Sequence, residues 1–238
     1  QLESFVQPTY QALIDGARFV QPQLERIIAD LRPDVIALDN VITFPALVTS
    51  RAAYVRIVSC NPLEIRGPGI APVFSGYPAA DRSGWAEFLD RFDRTHGAMW
   101  STFDEWVQQQ GAPPLPARDF VHTSADANLY VYPEELDYVT DRPLDATWHR
   151  MDSSVRETDE PWALPARFAD RSGGRGVIYL SLGSLGGADI GLLQRLIDLL
   201  GGTQHHVIVS MGPRAKEIRL AGNMVGAEFL PQTSIIPQ

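Results

Sequence analysis

The sequence predicts an α/β protein built from two open, parallel sheets with helices around them, one following the other along the chain. Three observations lead there. Short apolar runs such as Val35–Leu38 and Val177–Leu182 are continuous, the pattern of strands buried on both faces of a parallel sheet. Between them lie segments whose apolar residues recur at helical spacing. The runs end abruptly in small or turn-forming residues, at the sheet edge where ligands gather in open α/β folds.

In chain order, Leu13, Ala17, Val20, Leu24, Ile27 and Leu31 describe one helical face within residues 4–31. Arg32-Pro33-Asp34 breaks that helix, because Pro33 disfavours helical geometry in the residue before it. Val35–Leu38 follows as a buried strand ending on Asp39-Asn40. Thr43 is the expected N-cap of a helix running through Pro45 to Ala52, and Tyr54–Ser59 is the next strand. Residues 61–80 carry seven Pro or Gly and no period, a long loop of the functional or mobile kind. Trp85 to Val107 repeats aromatic residues at helical spacing, which reads first as core. Asn128–Pro133 and Thr147–Asp152 are two further short strands. A polar stretch with Pro and Gly then separates a first domain (1–152) from a second (177–238), so 153–176 is expected to be an interdomain linker. The second domain repeats the alternation. Strand Val177–Leu182 precedes a helix near Ile190–Leu200 that Gly201-Gly202 stops; strands His206–Ser210 and Met224–Leu230 follow.

Composition restricts the function classes. The formal net charge is −9 with no dense basic patch, so nucleic acid is not an expected partner. The single cysteine, Cys60, rules out an intrachain disulfide framework and suits a cytoplasmic location. No apolar run approaches the roughly 20 residues of a membrane span, and the N-terminus lacks a signal-peptide layout. The sequence opens inside a helical pattern without an initiator Met and stops just after Pro237, so it reads as an excerpt of a longer protein.

Three strand ends stand in order: Val-Ile-Tyr-Leu-Ser-Leu-Gly-Ser at 177–184, His-Val-Ile-Val-Ser-Met-Gly at 206–212, and Phe-Leu-Pro-Gln-Thr-Ser-Ile-Ile at 229–236. This series resembles the nucleotide-binding domain of the UDP-glycosyltransferases, and within them the bacterial macrolide- and antibiotic-type branch. Upstream, Arg-Pro-Asp-Val-Ile-Ala-Leu-Asp-Asn at 32–40 is similar to the strand that carries that family's catalytic Asp. The resemblance implies two Rossmann-like domains of the GT-B type, both incomplete in this chain: the end of an acceptor-binding domain and the start of a nucleotide-sugar-binding one. The family's base His would precede this sequence, and its His-Gly-Gly donor signature would begin shortly after Gln238.

The implied reaction is inverting transfer of a sugar from a UDP or TDP sugar to a hydroxyl of a small apolar acceptor such as a polyketide, macrolide, flavonoid or sterol. It needs no metal and no cofactor beyond the sugar nucleotide. In this reading Asp39 orients the base His, as the carboxylate of a Ser-His-Asp triad does; its alternative is a loop or N-cap acid. Ser181, Gly183 and Ser184 face the diphosphate as a hydroxyl, a turn and a helix-start donor, or merely form a tight turn. Met211 and Gly212 lie beside the nucleotide, or only end a strand. Phe229 stacks on the base or points to the core; Leu230 offers backbone groups to the base edge, and Gln232 a side-chain amide. Acceptor contacts would come from the 61–80 loop and the aromatic helix. The histidines, His96, His122, His149, His205 and His206, read as structural or surface residues, and Cys60 as a small buried core thiol. Two other readings use the same fold: a nucleotide-sugar epimerase, and a non-catalytic auxiliary protein that binds a partner transferase.

Overall fold

The structure is a computed structural model that describes residues 1–138, 140–152, 155, 161–169, 172–183, 187 and 189–238. The chain divides into two compact units, Gln1–Ser154 and Val155–Gln238.

In the first unit a short π-helical turn leads into α1 (Gln7–Leu31), which carries Pro8 in its first turn and Pro22 inside. Arg32 ends it in the left-handed region, with its N–H bonded to the Ile28 carbonyl, and Pro33 keeps the helix from resuming. Strand β1 (Val35–Asp39) follows, then a helix α2 of only four residues (Pro45–Val48). It stops well short of the expected Ala52 because Thr49 and Ser50 donate their hydroxyls back to the carbonyls of Pro45 and Leu47. Thr43 is not its cap. Phe44 holds that position, and the Thr43 hydroxyl is buried against His122 Nδ1, 2.8 Å away. Then come β2 (Ala53–Val58), α3 (Trp85–Gln109), β3 (Ala127–Tyr130) and β4 (Trp148–Arg150). The four strands form one parallel sheet in the order β1-β2-β3-β4.

This sheet departs from the expected burial on both faces. Tyr54, Arg56, Val58, Asn128 and Tyr130 are buried on one face, whereas Val35, Ala37, Asp39 and Ala53 on the other are exposed. Val35 is 57% exposed although the run it opens is wholly apolar. The main apolar core lies between α1 and α3, where Ile14, Ala17, Phe92, Phe103 and Val107 pack with Ile42, Leu115 and Phe120. Most of the aromatic stripe of α3 is thus core.

The 61–80 loop is anchored from beneath. Arg142, buried, donates Nη1 to the carbonyls of Pro62 (2.7 Å) and Ile65 (2.9 Å) and pairs through Nη2 with the buried Asp137 carboxylate. Ile65, Ile70, Ala71 and Val73 are buried in consequence. This loop is long but fastened.

The second unit has β5 (Val177–Ser181), α4 (Ile190–Gly201), β6 (His206–Ser210), β7 (Met224–Ala227) and α5 (Gln232–Ile235). Its sheet is parallel in the order β5-β6-β7. Here both faces are covered. Val207 and Val209 join Leu193 and Ile197 of α4 on one side, while Ile208 meets Phe168, Leu230 and Ile235 on the other. Part of the stretch expected as a linker is therefore core: Phe168 is fully buried, with Trp162 and Leu164 beside it. The polar average of 153–176 conceals these three anchors, each of which removes enough apolar surface from water to contribute on the order of 2 kcal/mol.

Candidate functional site

Because each sheet is parallel, all its strands end at one edge, and the expected site residues gather there. In the second unit a cavity of about 380 Å³ is lined by Ser181, Gly183, Gly212, Phe229, Leu230 and Gln232. Two glycine turns form part of its wall. Gly183 (φ +67°) and Gly212 (φ +73°) occupy the left-handed region that disfavours any side chain with a Cβ. The Gly187 N–H bonds the Gly183 carbonyl at 2.9 Å. A Cβ on Gly187 would stand 2.8 Å from that same carbonyl, so only glycine fits. The Ser181 hydroxyl accepts from the Gly183 N–H at 3.4 Å, which leaves its own proton free to donate into the cavity. No Lys or Arg lines the cavity among the described residues, so an anion there would depend on hydroxyl and backbone donors.

Several expectations change in detail. Met211 is not among the lining residues; its side chain, partly buried, packs against the cluster of Leu193, Val207 and Met224. Its neighbours Ser210 and Gly212 do line the cavity. The Gly212 N–H is already bonded to the Glu228 carbonyl at 3.1 Å, so Gly212 contributes shape and not a free donor. Strand β7 ends at Ala227, and Phe229 stands 71% exposed at the cavity rim, which excludes the core alternative for its ring. Leu230 is buried at 9% exposure and bridges cavity and core. Ser184 lies outside the described residues. The start of α4 is not open either, since Asp189 Oδ1 accepts from the Leu192 N–H at 2.9 Å and caps it.

Sequence reasoning missed Tyr179, Ser210, Pro213 and Glu228 in the lining. Two of them had a signal. Tyr179 precedes Ser181 by two residues and shares its face of β5, and Ser210 is the register partner of Ser181.

In the first unit Asp39 ends β1, exposed, and the Ser59 hydroxyl just past β2 lies 2.9 and 2.7 Å from its two oxygens. That shared hydrogen bond holds the carboxylate in one orientation. Ser59 was not among the expected site residues. Cys60 beside it is exposed, contrary to the expected buried thiol, because β2 ends at Val58 and the chain turns into the Asn61-capped turn at Pro62–Glu64. Partial desolvation, with the carboxylates of Glu64 and Asp39 near, keeps the Cys60 thiol above its usual value, which makes it a poor nucleophile. Burial likewise pushes Glu64 up, aided by Asp39 and Asp119 and opposed by Arg56.

A cavity of about 300 Å³ lies between the 61–80 loop and the first turns of α3, with Ile70, Val73, Trp85, Phe88 and Phe92 in its wall and Arg66 and Arg118 at its polar end. Arg66 is paired with Asp119 at 3.3 Å, and its Nη2 donates to the Arg118 carbonyl at 2.6 Å. Three of the histidines are in structural settings: His122 bridges Thr43 and the Pro113 carbonyl, His206 stacks on Phe168, and the His205 Nδ1 accepts from the Gly176 N–H. No group of three or more His, Cys, Asp or Glu able to hold a metal ion occurs among the described residues. No described helix is long and apolar enough to cross a membrane.

No protein-family model and no curated protein sequence matches the chain. Solved structures do. The glycotransferase of kitacinnamycin superposes over 100% of this chain and 58% of its own, with a TM-score of 0.63 and 18% identity. CalG4, the calicheamicin glycosyltransferase, covers 99% of this chain and 56% of its own, with a TM-score of 0.58 and 14% identity. The chain therefore spans somewhat over half the length of the solved proteins it matches. With its parallel sheets and its strand-end cavity, it has the fold of GT-B glycosyltransferases over the part that it covers.

Proposed function

We propose that the chain is the central part of an inverting glycosyltransferase that moves a sugar from a nucleoside diphosphate to a hydroxyl of a small, largely apolar acceptor. The observation that carries this reading is the strand-end cavity of the second unit, where Ser181, Gly183, Gly212, Phe229, Leu230 and Gln232 converge. Its chemistry suits a sugar nucleotide. The Ser181 hydroxyl meets the diphosphate, with Ser184 assigned there from the sequence. The exposed Phe229 ring offers one face to a uracil or thymine base, and the Leu230 backbone and Gln232 amide reach its edge. No metal or further cofactor takes part.

The first unit supplies the acceptor pocket, whose apolar lining fits a ring system, and Asp39, whose carboxylate fixes the tautomer of a base His and stabilises the imidazolium. The base takes the acceptor proton as the oxygen attacks the anomeric carbon opposite the diphosphate. Charge then grows on the leaving group, and fixed donors in the second unit stabilise it.

Calorimetric titration of the intact protein with UDP and TDP, followed by a mass-spectrometric screen of hydroxylated acceptors with the matching sugar nucleotides, tests the proposal. Saturable nucleotide binding with a product heavier by one sugar is expected. Absence of nucleotide binding refutes it.

A further inference from the structure

A second cavity in the first unit, about 260 Å³, adjoins the acceptor pocket and shares Phe92, Ala117 and Arg118 with it. Its other walls include His96, Gly97 and Trp100 of α3. Three features make it more than a packing fault.

The first is an unsatisfied polar atom. His96 is fully buried and stacks in parallel on Phe92 at 4.3 Å. Its Nδ1 lies 2.6 Å from the Thr95 hydroxyl, which also sits 3.0 Å from the carbonyls of Arg91 and Phe92. The hydroxyl has one proton, so either it donates to a carbonyl and accepts from Nδ1–H, or it donates to Nδ1. In either tautomer Nε2, as a lone pair or as an N–H, is buried and has no hydrogen-bond partner among the described residues. Burial also keeps the ring below its usual value and hence neutral. A buried polar atom without a partner is costly, so a hydroxyl that reaches it, able both to donate and to accept, gains more than at an exposed atom.

The second feature is Gly97. Glycine inside a long helix is unfavourable by about 1 kcal/mol relative to alanine, and no neighbour requires it here: a Cβ would meet nothing within 4 Å. What the glycine preserves is open space. The third feature is charge balance. Arg118 holds Asp93 with two hydrogen bonds, Nε to Oδ1 at 2.7 Å and Nη2 to Oδ2 at 2.6 Å. The two charges at the cavity satisfy each other and leave none to select an ion.

We propose that this cavity binds a neutral, planar aromatic group carrying a hydroxyl, stacked among Phe92 and Trp100, with the hydroxyl hydrogen-bonded to His96 Nε2. The hydroxyl on His96 is recognised and not glycosylated. The proposal deepens the function above by describing the ligand next to the acceptor pocket, and rests on it only for the ligand's role as acceptor.

The test is equilibrium dialysis of the intact protein with 2-naphthol and with naphthalene, in the absence of any sugar nucleotide. Preference for 2-naphthol by about 5- to 10-fold is expected, the scale of one net hydrogen bond. Gly97→Leu fills the space from an open helical position; it should bind neither probe while melting no lower than the unmodified protein. His96→Phe, if it folds, should keep naphthalene binding and lose the preference. Equal affinity for the two probes, or undiminished 2-naphthol binding by Gly97→Leu, overturns the proposal whether or not His96→Phe folds. Sugar transfer without probe discrimination would sink this site alone, and discrimination without nucleotide binding would sink the transferase reading alone.

Discussion

Replacing Phe229 by Ala separates a binding role from a packing role. The ring is 71% exposed, so of a side chain of about 200 Å² only roughly 60 Å² is covered, which limits its contribution to folding to about 1.5 kcal/mol at 25 cal/mol per Å². A fully buried Phe would lose about 3–5 kcal/mol on the same change. A base stacked on the ring, by contrast, contributes about 1–3 kcal/mol. In the intact protein Phe229→Ala should therefore weaken UDP or TDP binding by about 5- to 150-fold and leave the melting temperature within a few degrees. Calorimetric titration reads the first quantity and thermal unfolding without nucleotide the second. Unchanged nucleotide affinity would show that the ring does not meet the base, and a loss of several kcal/mol in stability would show that it is packed. Either result refutes the reasoning.

Other substitutions probe the rest. Asp39→Asn should lower turnover by orders of magnitude, about the effect of removing a carboxylate behind a catalytic His, with nucleotide affinity unchanged; steady-state kinetics beside calorimetry decides, and normal turnover removes Asp39 from the chemistry. Phe168→Ala should destabilise the second unit by about 3–5 kcal/mol in denaturant unfolding, since the ring is fully buried; a passive linker would give almost nothing. Glu64 carries the opposite sign to a paired carboxylate. Its native value is raised, so the native state binds more protons than the unfolded one, and stability falls as pH rises from the unfolded value through the native one. Glu64→Gln should accordingly raise the melting temperature at neutral pH, and this gain should vanish below the ordinary carboxylate range; a gain that persists in acid would assign the effect to packing.

The half-covered sheet of the first unit bears on how such sequences are read. Val35 and Ala37 sit in a wholly apolar run, yet the described residues leave both exposed. An apolar run reports what a strand can pack against, not which residues cover it. The same limit applies to Cys60, whose residue type suggests burial but whose place past the end of β2 leaves it exposed. It applies in reverse to Phe168, a core residue inside a stretch of polar composition.

What the sequence by itself determined is local. Helical spacing, Pro33 and the glycine turns are written in neighbouring residues, and so the alternation of strands and helices, both parallel sheets and the strand-end position of Ser181, Gly183, Gly212 and Phe229 were legible from it. Tertiary structure decided everything that depends on residues far apart in the chain. It set Ser59 on Asp39 across twenty positions, packed Met211 against the core while Ser210 lines the cavity, fastened the 61–80 loop to Arg142, and left His96 Nε2 buried without a partner among the described residues. The strand-end cradle was visible because glycine and backbone geometry are properties of a few consecutive residues. The rest of its lining, Tyr179, Ser210, Pro213 and Glu228, was not, because which side chain meets which is settled only when separate strands lie side by side.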